Sequence, residues 1–287
     1  MDLTIDASAA GTFRLGGELE VHRLGFGGMR LCGPGVWDWP ADRENALAVL
    51  SRAVEVGVNF IDTADAYGPE VNERQIAQAL HPYPDGLVIA TKGGLVRSGP
   101  GQWERDARPE RLRLCCDESL QRLRADHIDL YQLHAPDTKV PLADQIGTLK
   151  ELQDVGKIRF IGVSNFTLEQ LREAQQIVDV VSVQNPYNVG NRHGNEELLA
   201  ACANEAIAFI PYFPLDGGDL ETVTALEPIA RAHGATTWQV ALAWLLHRSP
   251  VMLPIPGTSS LAHLDENVAA ASLELSKEEY ATLDALA

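Results

Sequence analysis

The stretch NFIDTADAYGP, residues 59–69, decides the fold. A short apolar, β-prone run at residues 58–61 ends in the carboxylate of Asp62, and Tyr67 follows five residues later in a loop with glycine and proline. A helical pattern resumes from Val71. The order strand, polar loop, helix is typical of parallel α/β proteins, in which the loops at the carboxyl ends of the strands converge on one binding site.

The same order recurs along the rest of the chain, where short apolar runs alternate with segments of helical period. The predicted strands are Arg23–Gly27, Val58–Asp62, Leu87–Lys92, Ile128–His134, Arg159–Val163, Val180–Gln184, Ala208–Tyr212 and Val251–Ile255. The predicted helices are Ala41–Val56, Val71–Leu80, Pro109–Leu123, Leu142–Asp154, Leu168–Gln176, Asn195–Glu205, Glu221–His233, Thr237–His247, Ala262–Ala271 and Lys277–Ala287. A two-stranded hairpin, Thr12–Leu15 and Glu18–Val21, is predicted before them.

Eight strand–helix units therefore follow one another with no linker or change in composition between them. The strands are nearly all apolar, as strands covered on both faces must be. We expect residues 1–287 to form a single α/β domain, a (β/α)8 TIM barrel with extra C-terminal helices and an N-terminal β-hairpin that plugs one end. A doubly wound open sheet is the alternative.

Composition narrows the class of protein. The 287 residues are 45% hydrophobic and 22% charged with a net charge of −17, which argues against a nucleic acid or an anionic membrane as partner. Neither a secretory signal nor an apolar run of the ~18 residues that a membrane helix needs is evident, so we expect a cytoplasmic monomer or small homo-oligomer. The four cysteines form no C-x-x-C and the eight histidines no H-E-x-x-H, which predicts free thiols and no metal site.

Ionisable side chains stand at the carboxyl ends of three consecutive predicted strands. Asp62 and Tyr67 follow the second strand, Lys92 ends the third and His134 the fourth, so a barrel would bring them to one mouth. An ammonium beside the phenol is expected to lower the pKa of the phenol, and a carboxylate to keep the lysine charged. The four side chains are candidate catalytic residues for protonating a developing alkoxide, with the histidine orienting a carbonyl oxygen.

Each of the four also has a structural interpretation when taken alone. Asp62 could cap a helix or loop, and Tyr67 could be a half-buried packing residue. Lys92 could be a solvated loop charge, and His134 a core histidine with a satisfied ring. Their arrival at consecutive strand ends favours the catalytic interpretation.

These motifs resemble those of the aldo-keto reductase family. The family pattern D-x4-Y-G is present at residues 62–68, followed by Thr91-Lys92 and by Tyr131-Gln-Leu-His134. Later matching stretches are Ile161-Gly-Val-Ser-Asn-Phe166, Val183-Gln-Asn-Pro-Tyr187, Tyr212-Phe-Pro-Leu215 and Ile255-Pro-Gly-Thr258. The resemblance covers nearly the whole chain. It implies reversible reduction of a small aldehyde or ketone, with Tyr67 as proton donor and a nicotinamide cofactor bound in extended form without a Rossmann domain.

The resemblance also implies which residues bind the cofactor and the substrate. Ser164, Asn165 and Gln184 would hydrogen-bond the nicotinamide carboxamide, to which amide side chains offer both donors and acceptors. Tyr212 would stack on the ring, residues 214–218 would follow the pyrophosphate, and residues 258–267 would hold the adenosine end. The implied cofactor-binding set is Gly28, Met29, Asp62, Ser164, Asn165, Gln184, Tyr212, Pro214, Leu215, Gly217, Pro256, Thr258, Ser259, Ser260, His263 and Asn267. The implied substrate contacts are Trp37, Tyr67 and His134.

The cofactor preference is less sharply defined. Many NADPH-selective members carry a lysine or arginine after the eighth strand, whereas this chain has neither between Arg248 and Lys277. Serine and threonine hydroxyls can bind the 2′-phosphate but add no charge. NADPH is therefore expected from the family habit, and use of NADH stays open.

The substrate is suggested by a narrower resemblance. Residues 33–37, 67–69 and 80–84 look similar to the bacterial pyridoxal-reductase-like branch, in which pyridoxal is reduced to pyridoxine. Trp37 and Trp39 could form the walls of a pocket for a flat ring, or could pack the loop onto the barrel.

Two other functions remain as alternatives. One is a Schiff-base barrel lyase with Lys92 as nucleophile, which the neighbouring Asp62 disfavours because a carboxylate raises the pKa of lysine. The other is a non-catalytic, cofactor-sensing subunit.

Overall fold

The computed structural model describes residues 5–215 and 224–286. Seven strands within these residues form a parallel sheet that is curled into a barrel. Two antiparallel hairpins accompany the sheet: β1 Thr12–Leu15 with β2 Leu19–His22, and β6 Leu95–Gly99 with β7 Gln102–Arg105. The barrel strands are β3 Phe26–Gly27, β4 Phe60–Asp62, β5 Val88–Gly93, β8 Ile128–Leu133, β9 Ile158–Ser164, β10 Val180–Pro186 and β11 Ala208–Tyr212. Their order in the sheet is β11-β10-β9-β8-β5-β4-β3.

The described residues also form ten α-helices, which cover the outside of the sheet. Their bounds are α1 Arg43–Glu55, α2 Val71–Leu80, α3 Pro109–Leu123, α4 Leu142–Asp154, α5 Leu168–Ala174, α6 Glu196–Asn204, α7 Leu226–His233, α8 Thr237–Arg248, α9 Leu261–Ala269 and α10 Lys277–Asp284. Several of these helices begin with a side-chain cap. Asp42 accepts from the backbone N–H of Asn45 at the start of α1, and Ser276 forms a capping box with Glu279.

The (β/α)8 barrel is confirmed, but its eighth strand differs from the prediction. Residues 251–255 form no regular strand and pair with β11 through one bridge, Phe209 with Met252. The N–H of Leu253 donates to the carbonyl of Phe209 at 2.8 Å, and that of Gly25 donates to the carbonyl of Pro254 at 3.0 Å. This segment thus joins β11 to the start of β3. Because Pro254 has no N–H to donate, the ladder cannot continue through it.

Several other boundaries also depart from the prediction. β3 begins at Phe26 rather than Arg23, and α5 ends two residues early, at Ala174. α7 begins at Leu226, and the first residues of its predicted range, 221–223, lie outside the described residues. None of these differences moves a predicted catalytic residue.

The N-terminal hairpin closes the end of the barrel opposite the carboxyl ends of the strands. Leu15 and Val21 are fully buried and pack with residues of the barrel wall, among them Phe60, Leu130 and Leu253. This confirms the prediction that the hairpin plugs one end. The barrel centre at this level is therefore filled by side chains and is not a channel.

Shortening Leu15 should show how much the plug contributes to stability. We expect Leu15→Ala to lower the free energy of unfolding by about 2–5 kcal/mol, because it removes buried apolar contacts and leaves a cavity. The control is Leu114→Ala on α3, where the leucine is 48% exposed, with an expected change within about 0.5 kcal/mol. Urea unfolding of both variants measures the difference. Equal stabilities would show that the hairpin does not support the barrel.

The hairpin of β6 and β7 was not predicted from the sequence. All four residues of β7 are exposed, and β6 is mostly half-buried, so neither strand shows the apolar run that marks the barrel strands. The hairpin follows β5 directly and extends the mouth of the barrel.

Candidate active site

The predicted catalytic side chains meet at the carboxyl ends of the strands. Asp62 is the last residue of β4, Lys92 lies near the end of β5, and His134 directly follows β8. Tyr67 is in the loop between β4 and α2. Asp62, Tyr67 and His134 line a cavity of about 810 Å³, and the fully buried Lys92 lies behind them.

Lys92 is tied to Asp62 and to the phenol of Tyr67. Its Nζ donates to Asp62 Oδ2 at 2.5 Å, to the Thr63 carbonyl at 2.8 Å and to Tyr67 Oη at 3.4 Å. Burial by itself would lower the pKa of Lys92, but the charge of Asp62 and the contact with Tyr67 outweigh it, and the pKa is raised. The side chain is therefore an ammonium at neutral pH, which disfavours a Schiff-base nucleophile.

Tyr67 is a protonated phenol at neutral pH. Burial raises its pKa above the ordinary value, and the opposing charge of Lys92 only partly offsets this effect. The expectation of a lowered pKa is thus wrong in its net direction, although Lys92 acts in the expected sense. A protonated phenol is the form that can give up a proton to a developing alkoxide.

His134 stands edge-on to Tyr67, with the ring centroids 5.8 Å apart. Burial, together with the positive charges of Lys92 and Arg97, holds the pKa of His134 well below its ordinary value. The imidazole is therefore neutral at physiological pH. Its Nδ1 is buried and has no hydrogen-bond partner among the described residues. A neutral ring retains one N–H that can donate to a carbonyl oxygen.

Two glutamines complete the surroundings of Asp62. Gln184 Nε2 donates to Asp62 Oδ1 at 2.8 Å, and Gln132 Nε2 donates to the same oxygen at 3.2 Å. Gln132 was missed by sequence reasoning. Its signal was a polar residue near the end of a largely apolar strand, β8, two residues before His134 and so on the same face.

Three of the predicted nicotinamide-binding residues form a hydrogen-bonded group of their own. Asn165 has a left-handed φ of 60°, and its Nδ2 donates to the carbonyl of His134 at 3.0 Å and to Ser164 Oγ at 3.1 Å. The hydroxyl of Tyr212 donates to Asn165 Oδ1 at 2.8 Å. Both N–H groups of Asn165 are thereby occupied, and the Tyr212 ring is held in position at the cavity wall.

Most of the predicted cofactor-binding residues line the same cavity. They are Met29, Asp62, Ser164, Asn165, Gln184, Tyr212, Pro214, Leu215, Pro256, Thr258, Ser259, His263 and Asn267. Gly28 and Ser260 stand beside this lining: the carbonyl of Gly28 accepts from Asn72, and Ser260 caps α9 by accepting from the N–H of His263. Gly217 lies outside the described residues.

Neither tryptophan of the 33–40 loop contributes to the cavity lining given by the described residues. The ring of Trp37 packs against the guanidinium of Arg97, and that of Trp39 packs under Arg43, which favours packing of the loop over the alternative that they form the pocket walls. Two other tryptophans line the cavity: Trp238 on α8 and, near the catalytic residues, Trp103 on β7. Its ring stands edge-on to Tyr67 and His134, at centroid distances of 6.2 and 6.3 Å. It was missed because its hairpin was not predicted.

Asp65, in the loop that carries Tyr67, is a buried carboxyl group without an ion-pair partner among the described residues. Its Oδ1 is not hydrogen-bonded there, and the thiol of Cys115 donates to the group. Burial raises the pKa of Asp65 to about 7. Because the ordinary value is 3.8, the folded state keeps a proton between these pH values that the unfolded state has lost. The contribution of Asp65 to the free energy of unfolding is therefore most favourable at low pH, and it becomes less favourable as the pH rises towards 7.

We expect Asp65→Asn to remove this pH dependence. Relative to the wild type, its free energy of unfolding should rise by roughly 2–3 kcal/mol between pH 5 and pH 8. Urea unfolding at the two pH values measures the change, with the exposed Asp126→Asn as control. A relative stability that is the same at both pH values would show that Asp65 ionises normally.

Comparison with known proteins decides the family. Residues 23–287 match the sequence profile of the Aldo/keto reductase family.

The chain belongs to this family.

The predicted resemblance is confirmed, and this aldo/keto reductase is an NAD(P)H-dependent oxidoreductase. It is 49% identical to an uncharacterized oxidoreductase of Schizosaccharomyces pombe, over 98% of this chain and 91% of that protein. It is 42% identical to pyridoxine 4-dehydrogenase of Escherichia coli, over 97% of this chain and 99% of that protein. An aldo/keto reductase of Klebsiella pneumoniae, solved with NADP and acetate, superposes with a TM-score of 0.81 at 29% identity, covering 96% of this chain and 94% of that one.

Two features are absent from residues 5–215 and 224–286. No helix there is long and apolar enough to cross a membrane. No group of three or more histidine, cysteine, aspartate or glutamate side chains there is arranged to hold a metal ion.

Proposed function

We propose that this protein reduces an aldehyde or ketone to the alcohol, reversibly and with NADPH, and that pyridoxal is a substrate. The observation that carries the proposal is the series of contacts from Asp62 through Lys92 to the phenol of Tyr67. This phenol lines the cavity beside the neutral His134. The similarity to pyridoxine 4-dehydrogenase supports pyridoxal. The NADP in the Klebsiella pneumoniae structure supports the cofactor.

The residues present fit a nicotinamide nucleotide. Tyr212, fixed by Asn165, offers a flat ring at the cavity wall. With its Nε2 engaged by Asp62, Gln184 retains its amide oxygen to accept from a carboxamide, and the hydroxyl of Ser164 can donate to one. At the far end, Thr258 and Ser259 line the cavity next to the N-terminus of α9, where backbone N–H groups favour phosphate.

When bound, reduced nicotinamide supplies the hydride. The chain supplies the remaining steps. His134 donates its N–H to the carbonyl oxygen and orients it, and the phenol of Tyr67 gives a proton to that oxygen as negative charge develops. Lys92 stabilises the phenolate that forms, and Asp62 keeps Lys92 charged. In the reverse direction the same phenolate accepts the proton of the alcohol.

A panel of aldehydes and ketones that includes pyridoxal, assayed with NADPH and NADH in parallel, tests the proposal. We expect consumption of NADPH that depends on the carbonyl compound, with pyridoxine as the product from pyridoxal. Binding of the cofactor without turnover of any carbonyl compound would favour a sensing subunit. A substrate carbon that borohydride traps on Lys92 would favour the Schiff-base lyase.

A further inference from the structure

Three separate segments build the front of the cavity, and Arg97 of β6 touches all of them. We call them the front loop, residues 33–38, the catalytic loop, residues 63–69, and the β6–β7 hairpin, residues 95–105. Trp103 of the hairpin lines the cavity, as do several residues of the front loop and Tyr67 of the catalytic loop. The relative placement of these segments therefore shapes the space that faces Tyr67.

Every N–H of the Arg97 guanidinium donates to a backbone carbonyl. An arginine has five such donors in one plane. The acceptors are Gln102 at 2.8 Å from Nε, Val36 at 2.8 Å and Ala66 at 3.0 Å from Nη1, and Gly35 at 2.7 Å and Gly99 at 3.4 Å from Nη2. These carbonyls belong to all three segments. Arg97 thus joins the three segments, and it has no N–H left for an anionic substrate group.

The front loop is held in an unfavourable conformation where Arg97 binds it. Val36 has a φ of 53°, a left-handed value that is rare for a β-branched residue and persists only when its surroundings enforce it. The carbonyl of Val36 also accepts from the N–H of Gly68 at 3.3 Å, and Trp37 and Gly68 form a β-bridge. The front loop is therefore fixed directly against the loop that carries Tyr67.

The same guanidinium fixes the orientation of Trp103. Its carbon lies 3.7 Å from the centroid of the Trp103 ring and 5.7 Å from that of Trp37, which is cation–π geometry. Trp103 is 39% exposed, so part of its surface faces solvent. Stacking on Arg97 holds this ring edge-on to Tyr67 and His134, beside the place where a carbonyl oxygen would be protonated.

We propose that Arg97 is a positioning residue that sets the substrate class. By joining the three segments, it holds Trp103 in place as an aromatic wall of the cavity. This wall selects aldehydes that carry a flat ring, through contact with the ring rather than through charge. The inference rests on the proposed reductase function and adds to it the part of the substrate that is recognised. Ring contacts of this kind favour edge-to-face or offset arrangements. A phosphate or carboxylate on the substrate gains no hydrogen bond from Arg97.

Steady-state kinetics of Arg97→Met and Arg97→Lys with matched aldehydes test this inference. Benzaldehyde against butanal reports selection for a ring, and 4-carboxybenzaldehyde against benzaldehyde reports selection for charge. For Arg97→Met we expect the first ratio of kcat/KM to fall about tenfold, mainly through a higher KM for benzaldehyde, and the second ratio to stay the same. Arg97→Lys should not restore the first ratio, because an ammonium has three donors and no plane to stack.

Two sets of controls separate this role from a general loss of structure. Arg105→Met removes an exposed arginine of β7 and should leave both ratios unchanged. If Arg97→Met does not fold, Trp103→Leu should reproduce the fall in the ring ratio and Trp103→Phe should largely preserve it.

Three results would overturn the inference. One is an equal loss for benzaldehyde and butanal, which indicates a purely structural role, and another is a changed ratio for the carboxylate pair, which indicates recognition of charge. In both cases the reductase function stands. A wild-type protein that binds NADPH and reduces none of the aldehydes would overturn the reductase function, and this inference with it.

Discussion

Replacing Tyr67 with phenylalanine is expected to slow aldehyde reduction by a factor of about 10² to 10⁴. The substitution removes only the hydroxyl, whose proton is in position to reach a carbonyl oxygen. Burial raises the pKa of this hydroxyl, so the proton is present at neutral pH. The ring itself remains to pack against His134 and Trp103. The affinity for NADPH should therefore be nearly unchanged.

Single-turnover oxidation of bound NADPH, followed by its fluorescence after mixing with aldehyde, measures this step without the release of products. Titration of the same fluorescence gives the cofactor affinity. Tyr280→Phe on α10 is a matched control, because this partly buried tyrosine interacts with Arg248 and Asp284 far from the cavity, and its rate should match that of the wild type. A Tyr67→Phe variant that reduces aldehyde at the wild-type rate would contradict the role given to the phenol.

Replacing Lys92 with methionine is expected to reduce both activity and stability. The phenolate of Tyr67 would lose its neighbouring positive charge, and a loss of activity of about 10² to 10⁴-fold should follow. Asp62 would remain as a buried carboxylate without its partner, since the two side chains are 2% exposed or less. Breaking a buried pair in this way costs about 3–5 kcal/mol of unfolding free energy.

The double variant Asp62→Asn, Lys92→Met separates the two effects. It leaves no unpaired buried charge, because the asparagine side chain is neutral and its amide oxygen can still accept from Gln132 and Gln184 in place of the carboxylate. Stability should therefore recover by several kcal/mol, whereas reduction should stay slow. Urea unfolding and single-turnover rates of the two single variants and the double variant measure both quantities. Recovery of activity together with stability would mean that Lys92 has only a structural role.

The positions of the catalytic side chains could be predicted because each is set by local sequence. A short apolar run ends at Asp62, at Lys92 or just before His134, and parallel strands bring their carboxyl ends to one edge. The family motifs added the interpretation of the later residues. The plug was predictable for a similar reason, since Gly16-Gly17 marks a tight turn.

The front of the cavity could not be predicted, because it depends on contacts between distant segments. Arg97 reads as an ordinary charge in a polar stretch, and only the folded chain shows that its donors meet carbonyls from three segments. Trp103 lies on a strand with no buried residue. The direction of the Tyr67 pKa shift could not be predicted either, because burial raises this pKa, the charge of Lys92 lowers it, and only the folded structure shows which effect is larger.

The most direct test of hydride transfer at this site follows deuterium from the cofactor to the product. The protein is mixed with pyridoxal and NADPH that carries deuterium at both C4 positions of the nicotinamide, and the product is analysed by mass spectrometry. The predicted result is pyridoxine with one deuterium on the former aldehyde carbon, formed rapidly by the wild type and about 10² to 10⁴-fold more slowly by Tyr67→Phe. Pyridoxine without deuterium, or labelled pyridoxine formed equally fast by both proteins, would contradict it.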